Sequence, residues 1–231
     1  MTKRVGSVKA HGGYQPDGGG SIPAPTLHYW IDSASDEAEA LVKNYHYSQR
    51  WPGNVQLVMT AHVDGGLFGN RGQAVAAVVY SSPPTRWSES VMELSRLVRH
   101  PLFTVSLSAL IAASVRAIRK KGLVDLLVSF ADVQQGHHGG VYQASGWSYT
   151  GCREPAMEGV IVDGQFVPGR SANAKYGTRS PARLAERGIT AEAKWDEGKH
   201  LYWKAVTETG RAKAATLKLE ALAYPKPDVA A

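Results

Sequence analysis

The feature that most constrains the fold is an amphipathic segment at residues 104–122, followed at once by a short apolar run at residues 123–130. The first segment, TVSLSALIAASVRAIRKKG, has apolar residues at helical spacing, cations near its end and Gly122 in position to end a helix. The second, LVDLLVSF, is typical of a buried strand. Together they predict a long helix that leads directly into the core of a sheet.

Strand-like runs precede this helix. VQLVMTAHVDG (55–65) and GQAVAAVVYSS (72–82) are separated by a Gly-rich turn, which predicts a hairpin. A third strand is predicted over residues 89–100, and Pro101 marks its end. Further upstream, SASDEAEALVKNYH (33–46) predicts a helix, because serines that can cap it and acids of its first turn stand at the start.

Shorter elements follow the buried strand. VYQAS (141–145) predicts a helix that ends at Gly146, residues 148–154 predict a strand, and residues 158–169 predict a small hairpin. A strand meander followed by helix, strand, helix and strand predicts an α/β (α+β) fold with a mixed, mostly antiparallel central sheet flanked by helices.

The domain organisation is predicted from changes in composition. Residues 1–26 are rich in Gly and Pro and predict a flexible N-terminal arm, and residues 222–231 predict a flexible tail. Residues 27–221 are expected to form a single domain. From about residue 170 this domain carries a basic C-terminal extension, since residues 170–220 hold 11 Lys and Arg against 6 Asp and Glu.

The overall charge bears on the partner and the cysteine count on the compartment. The 231 residues carry a net charge of +6, which favours an anionic partner such as nucleic acid. The single cysteine, Cys152, excludes an internal disulfide and suits a reducing cytoplasm. The sequence shows neither a secretory signal nor an apolar run of the roughly 20 residues that a membrane helix needs.

Residues 129–151, SFADVQQGHHGGVYQASGWSYTG, contain most of the candidate chemistry. Asp132 follows the buried strand, where it could act as an acid or base or only cap a turn. Adjacent His137 and His138 lie in a Gly-rich loop, which is weak evidence for a metal site. Tyr142 lies in the first turn of the short helix, where its hydroxyl could reach a ligand site or its ring could simply pack in the core.

The segment VYQASGWSYTG (141–151) resembles the LYEKLGF…G segment of GNAT acyltransferases. In that family the tyrosine often serves as general acid to the leaving thiolate, a role that the resemblance gives to Tyr142. The Q/RxxGxG/A turn that holds coenzyme A has no counterpart, because residues 96–111 contain no glycine. An anion could still bind at the helix N-terminus, aided by Ser106 and Ser108. Acetyl-CoA and another glycine- or acyl-derived donor both stay open.

A narrower resemblance comes from three motifs in order: NYHYSQR (44–50), ELSRLVRHP (93–101) and residues 129–151. Together they resemble the Mom family of phage DNA adenine-modification proteins, and GRSANAKYGTRS (169–180) and GKHLYWK (198–204) are also similar to it. The resemblance spans roughly residues 33–205. It implies conversion of adenine to N6-carbamoylmethyladenine in phage DNA, which protects that DNA from host restriction, in the cytoplasm of the host cell.

The resemblance also assigns roles to individual residues. The catalytic residues that it implies are His46, Tyr47, Ser106, Ser108, Asp132 and Tyr142. The family has been linked to iron, and two histidines with one carboxylate would suit that metal. The implied ligands are His46, Asp132 and one histidine of the loop, His137 or His138.

The expected partner is double-stranded DNA with its target adenine flipped out of the stack, because enzymes that act on a base extrude it. Aromatic stacking on that base is predicted for Tyr47, Trp147 or Tyr149. Contacts with phosphates are predicted for the basic segment, at Arg170, Lys175, Tyr176, Arg179 and Arg183.

Several alternatives stay open. A CoA-dependent N-acyltransferase of a small amine or protein and a non-catalytic DNA-binding protein are the other functions considered, and a homodimer is not excluded. On a regular strand, Glu93 and Arg96 would lie on opposite faces, so Glu93 could reach the site or form a buried ion pair.

Overall fold

A computed structural model of the chain describes residues 3–9, 26–64, 71–83, 87 and 89–226. The strands are β1 (Lys3–Lys9), β2 (Thr26–Asp32), β3 (Val55–Asp64), β4 (Arg71–Ser81), β5 (Val91–Arg99), β6 (Leu126–Asp132), β7 (Ser148–Arg153), β8 (Met157–Val162), β9 (Gln165–Pro168), β10 (Ala191–Trp195) and β11 (Lys199–Ala205). The helices are α1 (Asp36–Tyr45), α2 (Leu107–Lys121), α3 (Gly140–Ala144), α4 (Gly169–Tyr176), α5 (Pro181–Ala185) and α6 (Glu208–Thr216).

Two sheets organise these elements. The larger has eight strands in the order β1-β2-β3-β4-β5-β6-β11-β7, and the smaller has three in the order β10-β8-β9. Neighbours from β1 to β5 are antiparallel, whereas β5 and β6 are parallel, with helix α2 in the connection between them. The predicted fold class, a mixed α/β fold with a mostly antiparallel sheet, is therefore confirmed.

The elements predicted from periodicity are present with nearly the predicted bounds. Helix α1 starts after Ser35, whose side chain accepts a hydrogen bond from the Ala38 amide. Helix α2 starts after Ser106 and ends at Gly122, whose φ of 60° is the left-handed conformation that glycine tolerates best. No helix among the described residues is long and apolar enough to span a membrane.

The chain divides into two compact units, where the sequence predicted one domain. The first unit comprises Met1–Phe130, Gly140–Thr150 and Tyr202–Tyr224, and the second comprises Ala131–Gly139, Gly151–Leu201 and Pro225–Ala231. The second unit is separate because it has its own sheet and a small apolar core. The buried members of that core are Val160, Val162, Ala172 and Leu184.

The predicted basic extension, from about residue 170, is divided between the two units. Residues 202–224, which include most of β11 and all of α6, belong to the first unit rather than to an appendage. The second unit has nine basic and nine acidic residues, so the net charge of +6 is carried by the first unit. The second unit as a whole is therefore neutral, and any basic surface on it covers only part of the unit.

Parts of both predicted flexible ends make backbone contacts with the first unit. Lys3–Lys9 pairs antiparallel with Thr26–Asp32 as an edge strand, and the rest of the predicted arm, residues 1–2 and 10–25, lies outside the described residues. In the predicted tail, the Leu222 amide donates to the Tyr149 carbonyl at 2.8 Å and the Tyr224 hydroxyl donates to the Trp147 carbonyl at 2.7 Å. The rest of that tail, residues 227–231, also lies outside the described residues.

The core of the first unit is built from the strands, of which β4 and β6 are buried at consecutive positions, and from one face of each flanking helix. Ala38, Leu41 and Val42 of α1 pack against Val58 and Val79 of the sheet. On α2, Ser114 is buried, and its hydroxyl lies 2.6 Å from the Tyr80 hydroxyl and donates to the Ile111 carbonyl. The buried hydroxyls of Ser114 and Tyr80 are thus paired, as burial requires.

Candidate functional site

The candidate site lies where two parallel strands stop pairing. Strand β5 pairs with β6 from Val91 opposite Leu126 to Leu94 opposite Ser129, although β5 continues to Arg99. In α/β sheets, ligand sites form outside the carboxyl ends of strands where neighbouring connections diverge. The end of this pairing, at Leu94 and Ser129, is therefore the expected place for a site.

Tyr142 comes from α3 and points its hydroxyl to this place. Its hydroxyl lies 2.8 Å from Ser129 Oγ, and Ser129 Oγ lies 2.8 Å from the Leu94 carbonyl oxygen. Gly146 ends the helix in the left-handed conformation, and the Trp147 amide donates to the Tyr142 carbonyl at 3.0 Å. Tyr142 is only 8% exposed, so the ring packs in the core while the hydroxyl reaches the end of the paired strands.

Burial decides the ionisation of Tyr142. It raises the pKa of the phenol to about 12; the hydrogen bond with Ser129 acts in the opposite direction, and the nearby Tyr47 and Glu93 raise the pKa further. Because this pKa is above neutral pH, Tyr142 carries its proton, which is the form that a general acid must have before it acts.

A β-bulge in β5 shapes the next part of the site. Arg96 pairs with Val79 and Leu94 pairs with Tyr80, so Ser95 has no opposing residue in the β4–β5 ladder. The Ser95 hydroxyl donates to the Val79 carbonyl at 3.2 Å. An extra residue reverses the alternation of side chains beyond it.

The bulge overturns the expectation that Glu93 and Arg96 lie on opposite faces. The charge of Glu93 raises the pKa of both Arg96 and Tyr142, and Tyr47 influences the same two groups. These residues therefore form one electrostatic cluster, called here the β5 cluster: Tyr47, Glu93, Arg96 and Tyr142.

Arg96 is a candidate site residue that was not predicted from the sequence, although the motif ELSRLVRHP (93–101) contains it. Its Nε donates to the Arg50 carbonyl at 2.9 Å and its Nη1 donates to the Ser95 carbonyl at 2.6 Å. Burial lowers its pKa, and the nearby Tyr47 and Glu93 oppose that effect. Arg96 thus ties the turn after α1 to the bulge.

The turn after α1 supplies the exposed part of the cluster. His46 ends α1 and is buried, and its Nδ1 accepts a hydrogen bond from the Ser48 amide at 3.1 Å. Tyr47 stacks on it with ring centroids 4.3 Å apart but is 50% exposed. Of the aromatic residues predicted to stack on a base, Tyr47 therefore has an accessible face.

The structure contradicts the base stacking predicted for Trp147 and Tyr149. Trp147 is fully buried and Tyr149 nearly so, because both belong to an aromatic cluster in the core of the first unit. Tyr142 lies 5.5 Å from Trp147 and 5.1 Å from Tyr202, and Tyr202 lies 5.2 Å from Tyr149 (ring centroids). A base cannot stack on rings whose faces are already covered.

Ser106 and Ser108 lie at the start of α2. Ser106 Oγ accepts from the Ala109 amide at 3.2 Å, which makes Ser106 the N-cap, and Ser108 Oγ lies 3.1 Å from Ser106 Oγ. These contacts give both serines a structural role. Their predicted catalytic role stays a prediction.

In the second unit, Asp132 caps the 3-10 turn Val133–Gln135, since its Oδ1 accepts from the Gln134 amide at 3.1 Å. Its charge also reaches Lys199. Burial acts to lower the pKa of Lys199, but Glu158, Asp132 and Asp196 outweigh it, so the pKa is raised. Asp132 thus caps the turn and is also one of three carboxylates that act to raise the pKa of Lys199.

The predicted iron site does not fit these residues. No group of three or more His, Cys, Asp or Glu side chains within the described part of the chain is placed to hold a metal ion. The lone pair of His46 Nδ1 accepts from the Ser48 amide, and Asp132 Oδ1 accepts from Gln134. His137 is exposed in its loop. The ligand set His46, Asp132 and His137 is therefore not supported.

The predicted phosphate contacts lie together on the second unit. The α4–α5 surface is defined here by four exposed cations of the prediction, by exposed Arg187, which sequence reasoning did not single out, and by half-buried Tyr176: Arg170, Lys175, Tyr176, Arg179, Arg183 and Arg187. Glu186 is the only acid between residues 169 and 188. This surface is locally basic although the unit as a whole is neutral.

Some of these cations are held in place by the backbone. Arg179 Nη1 donates to the Met157 carbonyl at 3.4 Å, and the Arg187 guanidinium donates to the Tyr176 carbonyl. Lys175 Nζ lies 4.9 Å from the centre of the Tyr176 ring. The surface presents the charge and the aromatic group expected for contact with phosphates, and that role stays a prediction.

Comparison with known proteins gives one family. The sequence model of the Mom protein family matches residues 30–226. No curated protein matches the chain.

The chain is also similar to solved acetyltransferase structures. A ribosomal-protein-S18-alanine N-acetyltransferase from Escherichia coli is 9% identical, with 78% of this chain and 94% of that chain covered and a TM-score of 0.45. A Bacillus subtilis acetyltransferase in complex with CoA is 10% identical, with 78% and 98% covered and a TM-score of 0.46. A GNAT-family acetyltransferase from Bacillus anthracis is 9% identical, with 77% and 95% covered and a TM-score of 0.42.

Proposed function

Because the chain belongs to the Mom protein family, we propose that it is a transferase that modifies adenine at N6 in double-stranded DNA. The proposed product is N6-carbamoylmethyladenine, which in phage DNA would block cleavage by host restriction enzymes. The observation that carries the proposal is the placement of Tyr142, a protonated and buried phenol at the end of the β5–β6 pairing, within electrostatic reach of exposed Tyr47.

The chemistry of the product defines what the site must do. The new bond joins N6 to a CH2 carbon, so the donor carbon loses a leaving group and N6 loses a proton. Tyr142 would give its proton to the leaving group. A carboxylate would receive the N6 proton, and the candidates are Glu93 of the β5 cluster and Asp132, which the family resemblance favours.

Recognition of the base is assigned to Tyr47. The adenine must leave the duplex stack, which costs a few kcal/mol, and enzymes recover part of this cost by stacking the base on an aromatic ring. Tyr47 has an exposed face and lies close enough to Tyr142 to raise its pKa. The α4–α5 surface would hold the backbone phosphates.

The donor is proposed by what it must carry, a carbamoylmethyl group or its precursor. Transfer of an acetyl group from acetyl-CoA would form an amide at N6 rather than an N6–CH2 bond. The segment between β5 and α2 has no glycine, and Ser106 Oγ is already used as the cap of α2. Acetyl transfer from acetyl-CoA therefore does not explain the proposed product.

The test is mass spectrometry of nucleosides from plasmid DNA made in cells that express the chain, compared with cells that carry the empty vector. A deoxyadenosine heavier by a carbamoylmethyl group supports the proposal. An increase by an acetyl group would instead identify an N-acyltransferase. Unmodified nucleosides from cells whose expressed protein binds DNA would identify a non-catalytic DNA-binding protein, and the proposal would be wrong.

A further inference from the structure

Ser129 is a fully buried serine whose single hydroxyl contacts two oxygen atoms. It stands on β6 at the last residue that pairs with β5, and its Oγ lies 2.8 Å from both the Leu94 carbonyl and the Tyr142 hydroxyl. The family resemblance assigned no role to this residue. Its position at the end of the paired strands places it next to the proposed proton donor.

The Leu94 carbonyl, the Ser129 hydroxyl and the Tyr142 hydroxyl have only two protons between them, which limits how they can hydrogen-bond. A carbonyl oxygen can only accept, and a serine hydroxyl has one proton. When the Ser129 proton serves the Leu94 carbonyl, the Tyr142 hydroxyl is left to donate to Ser129 Oγ. This arrangement satisfies every group while Tyr142 is neutral, and it fixes the direction of the phenol O–H bond.

We propose that Ser129 is a positioning residue that holds Tyr142 as proton donor and then donates its own proton in a hydrogen bond to the phenolate. This inference rests on the proposed function, since it concerns the proton donor of that reaction. In the step, the Tyr142 O–H first turns from Ser129 Oγ toward the donor's leaving group; its bond then breaks, the proton goes to that leaving group, and the electron pair stays on the phenolate oxygen. The Ser129 hydroxyl rotates from the Leu94 carbonyl to that oxygen, and nothing is oxidised or reduced.

The rotation matters because a buried phenolate is costly without a hydrogen-bond donor. Hydrogen bonds to charged groups stabilise more strongly than those between neutral groups. The nearby Glu93 carboxylate and the Tyr47 phenol both disfavour a negative charge on Tyr142. Among the groups that influence Tyr142, the Ser129 hydroxyl is the one that favours the phenolate.

A double-mutant cycle tests the inference: Ser129→Ala, Tyr142→Phe and the combination, with modified adenine measured by mass spectrometry. We expect Ser129→Ala to reduce the modification rate roughly 10-fold or more, which corresponds to the loss of a hydrogen bond to a charged group. In the Tyr142→Phe background the same change should have no further effect. Ser129→Thr, which keeps the hydroxyl, should recover part of the rate.

The matched control is Ser114→Ala. Ser114 is also fully buried, lies beside a tyrosine hydroxyl and donates to a carbonyl, but its partner is Tyr80. Ser114→Ala should lower the thermal stability about as much as Ser129→Ala does, and it should leave the rate of modification unchanged. Additive losses from Ser129→Ala and Tyr142→Phe, or an equal loss from Ser114→Ala, would overturn the inference.

A second measurement does not depend on activity. With 3-fluorotyrosine at position 142, the fluorine NMR signal reports ionisation of a phenol that is more acidic than tyrosine. Ser129→Ala should move the midpoint of that titration to higher pH, and an unchanged midpoint would contradict the inference. Absence of modified adenine with the wild-type chain would overturn the proposed function instead, and the NMR result would still stand.

Discussion

The two units divide the residues expected to act on DNA into two kinds. In the first unit, Tyr47 and Glu93 act to raise the pKa of both Arg96 and Tyr142, and Tyr142 is almost completely buried. In the second unit, the cations of the α4–α5 surface lie exposed to solvent. One region is built to change the protonation of a few atoms, and the other presents charge to a large anion.

This contrast separates rate from affinity. Burial keeps the Tyr142 phenol protonated and its hydrogen bond fixes its position, but a buried group gives little contact with a duplex. Exposed cations bind phosphates regardless of sequence, and their effect is screened by salt. Variants of buried Tyr142 should therefore change the rate of modification at nearly constant DNA affinity, and variants of the α4–α5 surface should do the reverse.

The largest effect is expected for Tyr142→Phe, which removes the proposed proton donor and keeps the ring in the core. The rate should fall by about 10²–10⁴-fold, the usual contribution of a general acid, as measured by modified adenine formed over time. DNA affinity should not change. Tyr202→Phe is the control, because Tyr202 is a buried neighbour in the same aromatic cluster and its hydroxyl accepts from Gln143. Equal activity of the two variants would remove Tyr142 from the mechanism.

Asp132→Asn separates the two roles of a residue in the second unit. Asparagine caps a turn about as well as aspartate, so the 3-10 turn should remain, but the base and the negative charge are lost. If Asp132 takes the N6 proton, the rate should fall by about 10²-fold with unchanged thermal stability. Asp163→Asn, an exposed position in the β8–β9 turn, is the control. Full activity of Asp132→Asn would leave Asp132 as a cap and favour Glu93 as the base.

The sequence predicted the elements of the first unit better than the geometry of its site. Helix α2 and strand β6 were predictable because local periodicity, the Ser106 cap and Gly122 all indicate the same structure. Tyr142 was named from a motif. The bulge at Ser95 was not predictable, because it depends on how two strands pair, and with it the shared face of Glu93 and Arg96 was missed.

The predictions that the structure does not support can each be explained in physical terms. Trp147 and Tyr149 were expected to face a base, but an aromatic side chain in a sequence pattern can serve either a core or a ligand. The iron ligand set is not supported, and spacing alone does not show the local hydrogen bonds in which His46 and Asp132 accept from backbone amides. The β8–β9 hairpin of the second unit was predicted, but the separation of this unit was not, because it depends on the pairing of β8 with β10 and on a core of its own.

Tyr47 tests the exposed edge of the β5 cluster, with an intermediate expected effect. Tyr47→Ala removes the stacking face and should weaken productive binding of DNA by roughly 5- to 150-fold, from about 1–3 kcal/mol of stacking per base. Tyr47→Phe keeps the face and should remain close to wild type. Tyr45→Ala, an exposed neighbour on α1 whose hydroxyl contacts His100, is the control. The measurement is the dependence of the modification rate on DNA concentration, and a Tyr47→Phe loss as large as that of Tyr47→Ala would exclude stacking.

The smallest single effects are expected on the α4–α5 surface, where each cation contributes one of several screened contacts. Arg170→Ala and Arg183→Ala should each weaken DNA binding several-fold and reduce the slope of log affinity against log salt by about 0.9 per lost phosphate contact. The rate at saturating DNA should not change. Arg211→Ala is the matched control, because Arg211 is equally exposed but lies on α6 in the first unit and is paired with Glu208. If Arg211→Ala lowered the salt slope as much as Arg183→Ala, the charge of the chain as a whole would hold the DNA, since the first unit carries the net +6. An effect restricted to Arg170 and Arg183 would show that a local basic surface on a neutral unit makes the contact.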